Sequence, residues 1–480
     1  MAITVRSFYD LKPRRMNHLP QPISRRTFVH SAAQILAAAG SVPPLFAQIP
    51  GERPIRTGGV SVLNPRGRVP VGIIIDDSTA LVNLNRFAMP QFDAAYAGAN
   101  PVYHKPWREW PVEIPDSFVR KFAEWSTEQG VKGKYSMVPF PACVGRLDRT
   151  LPGWTQRELS DSLELVRTAI MPNWDIHPEM VTHTRVIDTR TGHPHPDHSL
   201  KFMENWDWTT GRSVDELADY LAYALRILKN AGLPCEGVTT PGGFGNRALP
   251  QLAQATLESV REVFGSEIPH YFRHLYDQGD QSVAPRVEYV SGLEGGDPRC
   301  VVSIIGCTGD WTGGWDCTEP TGVDAFITAD LQSGRMVEVI ARGEPAMMVA
   351  HWTGLYWNGQ ELGFKIFQEV TRRLNTRFNH LLWMKLSELA RYWAAKELTR
   401  IEGQGNRVAF QAPYACPDFT VQFKSSKTGA PEFRAAGGTV ALKEVAQLLQ
   451  LMPGTWVRDG EMMTVCFALP RGASALELPT

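Results

Sequence analysis

The sequence predicts an α/β protein, with a parallel (β/α) barrel over about 59–400 and a small β-rich domain over 401–480. Three observations carry this. Val69-Pro-Val-Gly-Ile-Ile-Ile75 is a continuous apolar run that ends on two acids, as a strand buried on both faces would. Apolar strand-like segments then alternate with amphipathic helical ones, the pattern of repeated strand–helix units. After Leu398 that alternation gives way to short strands separated by turns.

The elements follow in order. Residues 1–47 stand apart as a leader. Ser24-Arg25-Arg26-Thr27-Phe28-Val29 is a twin-arginine pattern between a basic stretch and an Ala-rich, weakly apolar one, with Ala47 a plausible cleavage edge. It implies an encounter with the twin-arginine export machinery and a periplasmic or secreted destination. The 69–75 strand leads to a helix over 117–130, with Phe118, Phe122 and Trp125 on one face, and then a strand over 131–140. Thr155 with Glu158, and Ser213 with Glu216, read as capping boxes opening helices. The second helix runs through Leu217, Leu221, Leu225 and Leu228 to Gly232, a natural C-terminal cap. Strands are expected over 179–187, 236–240, 301–306 and 346–351. In the last part, strands are expected over 407–412, 419–423, 455–457 and 462–469, with one helix near 442–451.

Composition narrows the function classes. Of 480 residues, 43% are apolar and 21% charged, enough for a sizeable core and unlike a disordered chain. The net charge of −1 carries no nucleic-acid footprint. No apolar run reaches the 18 or so residues a membrane span needs. Fourteen Trp is a high count, read as sugar-stacking platforms for some and core packing for at least half. Seven Cys cannot all pair, and Cys300, Cys307 and Cys317 cluster closely enough for one disulfide.

Barrel strands deliver polar groups where they end, and four ends carry chemistry. Asp76 and Asp77 are adjacent acids, tolerated cheaply only when a cation or proton compensates one of them. One is therefore a metal-ligand candidate and the other a base candidate. Thr182-His183-Thr184 offers an imidazole to the same ion. Thr239-Thr240-Pro241-Gly242-Gly243-Phe244-Gly245 is a tight loop whose bare backbone, with Gly243 and Phe244 at its centre, can approach a substrate. His351 closes a late strand and is placed to act as an acid or base.

Taken in order, these segments resemble the polysaccharide deacetylase (NodB-homology) family. Gly72-Ile-Ile-Ile-Asp76-Asp77 is similar to the family's strand ending in an Asp pair, and Val131-Lys-Gly-Lys-Tyr-Ser-Met-Val138 to its second strand. Glu179-Met-Val-Thr-His183-Thr184 resembles the metal-histidine motif, Pro241-Gly-Gly-Phe-Gly245 the Pro-rich substrate loop, and Met347-Met-Val-Ala-His351 the last histidine strand. The resemblance spans roughly 69–395. It implies a distorted seven-stranded (β/α) barrel, one divalent metal ion, usually zinc, and hydrolysis of acetyl groups on a poly- or oligosaccharide. On it, Asp76 is the general base, Asp77 and His183 are metal ligands, and His351 is the general acid.

The chain departs from that pattern in two places. The family's second metal histidine lies four residues after the first, and here that position is Ile187. Asp188, His193, His195, His198 or Glu204 is expected to complete the site instead. The arginine before the Pro-rich loop is replaced by Thr239 or Thr240. Two other readings stay open. A glycoside hydrolase would use two carboxylates about 5–10 Å apart, drawn from Asp76, Asp77, Asp188, Glu204, Asp207, Asp310 and Asp316, with Trp206, Trp208 and Trp311 to Trp315 forming sugar subsites. A non-catalytic carbohydrate-binding protein would keep the aromatics alone.

Overall fold

The computed structural model describes residues 51–54, 56, 59–317, 320–425 and 429–478. The expected leader lies outside them. Among the described residues, no helix is long and apolar enough to cross a membrane.

The architecture is mixed α/β. One sheet holds Ala346–His351, Val69–Asp76, Gly133–Ser136 and Trp174–His177 in that order, all parallel, with Leu381–Trp383 also pairing Val69–Asp76. A second sheet orders Gly237–Thr239, His270–Leu275, Arg299–Gly306 and Arg286–Ser291, the last antiparallel. Single parallel bridges, Glu179 to Thr239 and Asp310 to Val349, join the margins of the two sheets. The hydrogen-bond ladder is thus two sheets with bridged edges, not one continuous barrel ladder.

Val69–Asp76 is buried at every residue, because neighbouring strands flank it on both sides and helices cover its outer face. Thr155 and Ser213 both close full capping boxes, and Val214–Asn230 ends at Gly232 with φ of 75°. The first helix of that pattern forms over Asp116–Glu128, with Phe118 and Phe122 buried.

Four expectations are corrected. The 131–140 strand shrinks to Gly133–Ser136, since Pro139 and Pro141 cannot donate to a ladder. The 179–187 strand lies earlier, at Trp174–His177, and 178–186 is an irregular loop. No helix forms over 442–451. Lys443–Glu444 instead pairs with the Thr455–Asp459 strand, and Leu448–Gln450 makes one tight turn. All seven cysteines are free thiols, so no disulfide links Cys300, Cys307 or Cys317.

From Arg400 onward the chain forms two five-stranded sheets, antiparallel except where Lys443–Glu444 pairs parallel with Thr455–Asp459, and one of them takes in Val60–Val62 from the other end of the chain. Helix Leu386–Leu398 packs between these strands and the parallel sheets. Tyr392 and Trp393 join Phe410, Phe419 and Phe467 in one apolar cluster that also contains Ile74 and Val349.

Candidate functional site

Val69–Asp76 and Ala346–His351 run side by side with Asp76 in register with His351. Asp76 is therefore a cross-strand neighbour of His351, rather than facing it from the far side of the site. Asp77, the next residue, turns out of the strand with φ of 62°, and His183 takes the same value in the loop after Trp174–His177. Left-handed backbone is uncommon for residues other than Gly, and Asp and His are among the types that visit it most.

Those two turns point side chains at each other. His183 Nε2 lies 2.7 Å from Asp77 Oδ1 and 3.4 Å from Glu179 Oε1. The three side chains place one ligand atom each within 4.8 Å of one another, all buried. Asp77 is 1% exposed, and its Oδ2 has no hydrogen-bond partner while Oδ1 meets the His183 imidazole. Glu179 Oε2 accepts the Asp77 N–H at 2.8 Å, leaving Oε1 to face the cluster. Two buried carboxylates converging on one imidazole are a donor set that fits a divalent cation such as zinc.

Charges inside the cluster pull against burial. Burial raises Glu179, but its contact with His183 and the field of Lys134 bring it down to about 2. Burial lowers His183, yet Asp77 and Glu179 hold it well above the usual imidazole range. Asp76 is pushed up to about 7 by burial and by the Glu179 charge, with Lys134 and His351 acting the other way. Lys134 is itself fully buried. Its ammonium donates to Asp76 Oδ1, to Ile75 O at 3.0 Å and to Ser136 Oγ at 2.6 Å. Of the two residues where the resemblance would place an arginine, Thr239 bonds His177 and the Thr240 hydroxyl donates to Phe272 O. The cation beside Asp76 is Lys134.

His351 Nδ1 is 2.6 Å from Asp310 Oδ2, which leaves Nε2 for the site. Burial lowers this imidazole, but Asp77, Asp310 and Asp76 lift it to about 10. Trp352 packs away from the site, against Phe118 and Phe122.

The third member of the cluster is Glu179, not a residue of the 188–204 segment. Asp188 is held by Arg190, His193 and His198 are exposed, and His195 is half-buried and stacked on Phe202. Glu204 is close, but behind the loop. Its carboxylate accepts the N–H groups of Val181, Thr182 and His183 and the Tyr220 hydroxyl. A sequence signal for Glu179 existed. It precedes His183 by four residues, the spacing sought on the other side at Ile187.

The aromatic candidates divide. Trp208 and Phe244 are buried, with Trp208 against Tyr220, so neither presents a ring face to a sugar. Trp311 is half-buried, edge-on to Phe326. Trp206 is half-buried and stands edge-on to Phe92, Tyr96 and Tyr103, and Trp315 also packs against Phe92 and Tyr103. Gly243 leans on the chain at Asn205, donating its N–H to Asn205 O at 2.6 Å. A Cβ there would come within 2.9 Å of that oxygen. Among the other glycosidase acids, Asp207 pairs with Arg247 and Asp316 with Lys105.

No protein-family model matches the chain, and neither does any curated protein sequence. Among solved structures, it is similar to a probable polysaccharide deacetylase from Pseudomonas aeruginosa PAO1, with 10% identity, TM-score 0.34, and coverage of 57% of this chain and 71% of that one. The Puue allantoinase gives 10% identity, TM-score 0.37, and coverage of 69% and 91%. An alpha-L-fucosidase gives 10% identity, TM-score 0.30, and coverage of 87% and 97%.

Proposed function

We propose that this chain is a metal-dependent hydrolase that removes acyl groups, acetyl in the first instance, from a poly- or oligosaccharide. The observation that carries the reading is the convergence of Asp77, Glu179 and His183 in the interior, one ligand atom from each within 4.8 Å of the others. Asp76 and His351 stand beside it, in register on adjacent strands. The bridges between Glu179 and Thr239 and between Asp310 and Val349 support reading seven parallel strands as one distorted ring, with this site at their carboxyl ends.

Asp77, Glu179 and His183 would hold the ion. When bound, it would polarise the acyl carbonyl and acidify the attacking water. Asp76, oriented by Lys134, accepts the proton of that water. His351, held protonated by its carboxylate neighbours and fixed by Asp310, passes a proton from Nε2 to the departing nitrogen or oxygen. Trp206 offers an apolar face to a sugar ring. Export through the twin-arginine route belongs to the same proposal and rests on the Ser24–Val29 pattern. So does treating 401–480 as an accessory domain.

The test is acetate release from acetylated sugar oligomers by zinc-loaded protein. Release that disappears in Asp77→Asn and in His183→Ala, together with stoichiometric zinc, is the expected result. Sugar-chain cleavage that persists without metal would overturn the reading in favour of a glycosidase.

A further inference from the structure

A second group of ligand-type side chains lies elsewhere in the same sheets. Asp175, His177 and His270 each bring one ligand atom within 4.8 Å of the others. Asp175 and His177 alternate along Trp174–His177, and so face the same side, while His270 begins the His270–Leu275 strand. Both imidazoles are fully buried. Their Nε2 atoms face each other at 2.9 Å.

From these positions we infer a second divalent-metal site, held by Asp175, His177 and His270 and separate from the Asp77 cluster. Three features support it. Tetrahedral zinc with nitrogen ligands near 2.0–2.1 Å sets neighbouring ligand atoms roughly 3.3 Å apart, close to the distance here. Two of the three groups are already oriented from behind, as metal ligands usually are. His177 Nδ1 is 3.2 Å from Thr239 Oγ1, and the Asp175 carboxylate accepts the Ser387 N–H at 2.6 Å and the Ser387 hydroxyl at 2.8 Å. The third feature is the space kept for the ring. Gly237, on the neighbouring strand, has no side chain where a Cβ would meet His177 Nε2 at 2.7 Å.

Lys385 Nζ lies 3.8 Å from Asp175 Oδ1 and is the one cation paired with that carboxylate among the described residues. The Asp175 side chain keeps 11% exposure, which gives an ion an edge to enter by. No water-derived nucleophile has room to reach a substrate between two fully buried rings. The site is structural, tying the Trp174–His177 strand to the His270–Leu275 strand across the joint between the two sheets.

The experiment is metal content of the full-length chain by elemental analysis after zinc loading, for wild type, His183→Ala and His270→Gln. The wild type should hold one equivalent more than either single variant. One equivalent that survives His183→Ala but is lost in His270→Gln would support this site and sink the Asp77 reading. One equivalent lost in His183→Ala but kept in His270→Gln would overturn the second site and leave the hydrolase reading intact. Should His270→Gln not fold, anomalous scattering from zinc-soaked wild-type crystals decides. A peak between His177 and His270 supports the inference, and its absence refutes it.

Discussion

Replacing Glu204 with glutamine removes the acceptor that shapes the loop carrying His183. The carboxylate receives three backbone N–H groups, from Val181, Thr182 and His183, and the Tyr220 hydroxyl. An amide of the same shape keeps one oxygen and turns a donor toward donors, so about two of these bonds are lost. Burial raises the Glu204 carboxyl to about 7, so above that pH, where it is charged, hydrogen bonds to it are worth about 1.5–3 kcal/mol each and the local cost is about 3 kcal/mol or more. At 1.4 kcal/mol per tenfold, the amides of 181–183 should exchange with solvent about 100-fold faster or more. Zinc affinity should fall about 10–100-fold, as for other groups that orient a ligand. Hydrogen exchange resolved to that segment reads the first effect without requiring two-state unfolding of so long a chain. Exchange at 181–183 within threefold of wild type, in a folded variant, would refute the reasoning.

Four further outcomes follow from the same geometry. Asp76→Asn and His351→Ala should each lower kcat by about 10²–10⁴-fold on an acylated sugar, with smaller effects on KM. Steady-state kinetics checks this, and near-full activity in both would move the reaction elsewhere. Lys134 opposes the upward shift of Asp76, so Lys134→Met should move the acid limb of the kcat/KM profile to higher pH by about 1–3 units. His351 is raised from its ordinary range to about 10, so its stabilising contribution is complete below about 6.5 and is lost as pH rises through 10. Melting temperatures should therefore fall across that window, and Asp310→Asn should flatten the fall. Trp208→Ala should cost about 3–5 kcal/mol of stability, because the ring is buried, whereas Trp206→Ala should mainly weaken sugar binding.

Much of this was legible from residue order. The buried strand ending on two acids is a local pattern, and Asp76, Asp77, His183 and His351 are brought together. The capping boxes were equally readable, because their partners lie three residues apart. What escaped was everything fixed by tertiary contact. Lys134 looks like an ordinary strand residue until its ammonium is seen in the interior, against Asp76. Glu204 has the chemistry of a ligand, and only the direction of the 181–183 amides makes it a scaffold. Trp208 and Phe244 show why composition misleads: a ring suited to sugar stacking is equally suited to a core. The 442–451 segment has helical spacing, but Lys443–Glu444 gains more from pairing with a neighbouring strand.

The site also explains why its carboxylates outnumber the ones that chemistry needs. Asp77 and His183 hold left-handed backbone that costs on the order of 1–3 kcal/mol each unless its surroundings impose it. Here the imposing groups are carboxylates. Glu179 grips the Asp77 N–H, and Glu204 grips the His183 N–H. Each strained residue is thus pinned at its own amide by an acid from the 179–204 stretch, and each pin is buried where water cannot compete for it. Glu179 does both jobs, aiming one oxygen at a backbone and the other at the ligand cluster. That sharing ties the backbone conformation to the donor set. A residue able to ligate but not to accept from the Asp77 amide would let the turn relax, and the two Asp77 oxygens would leave the point where they converge with His183.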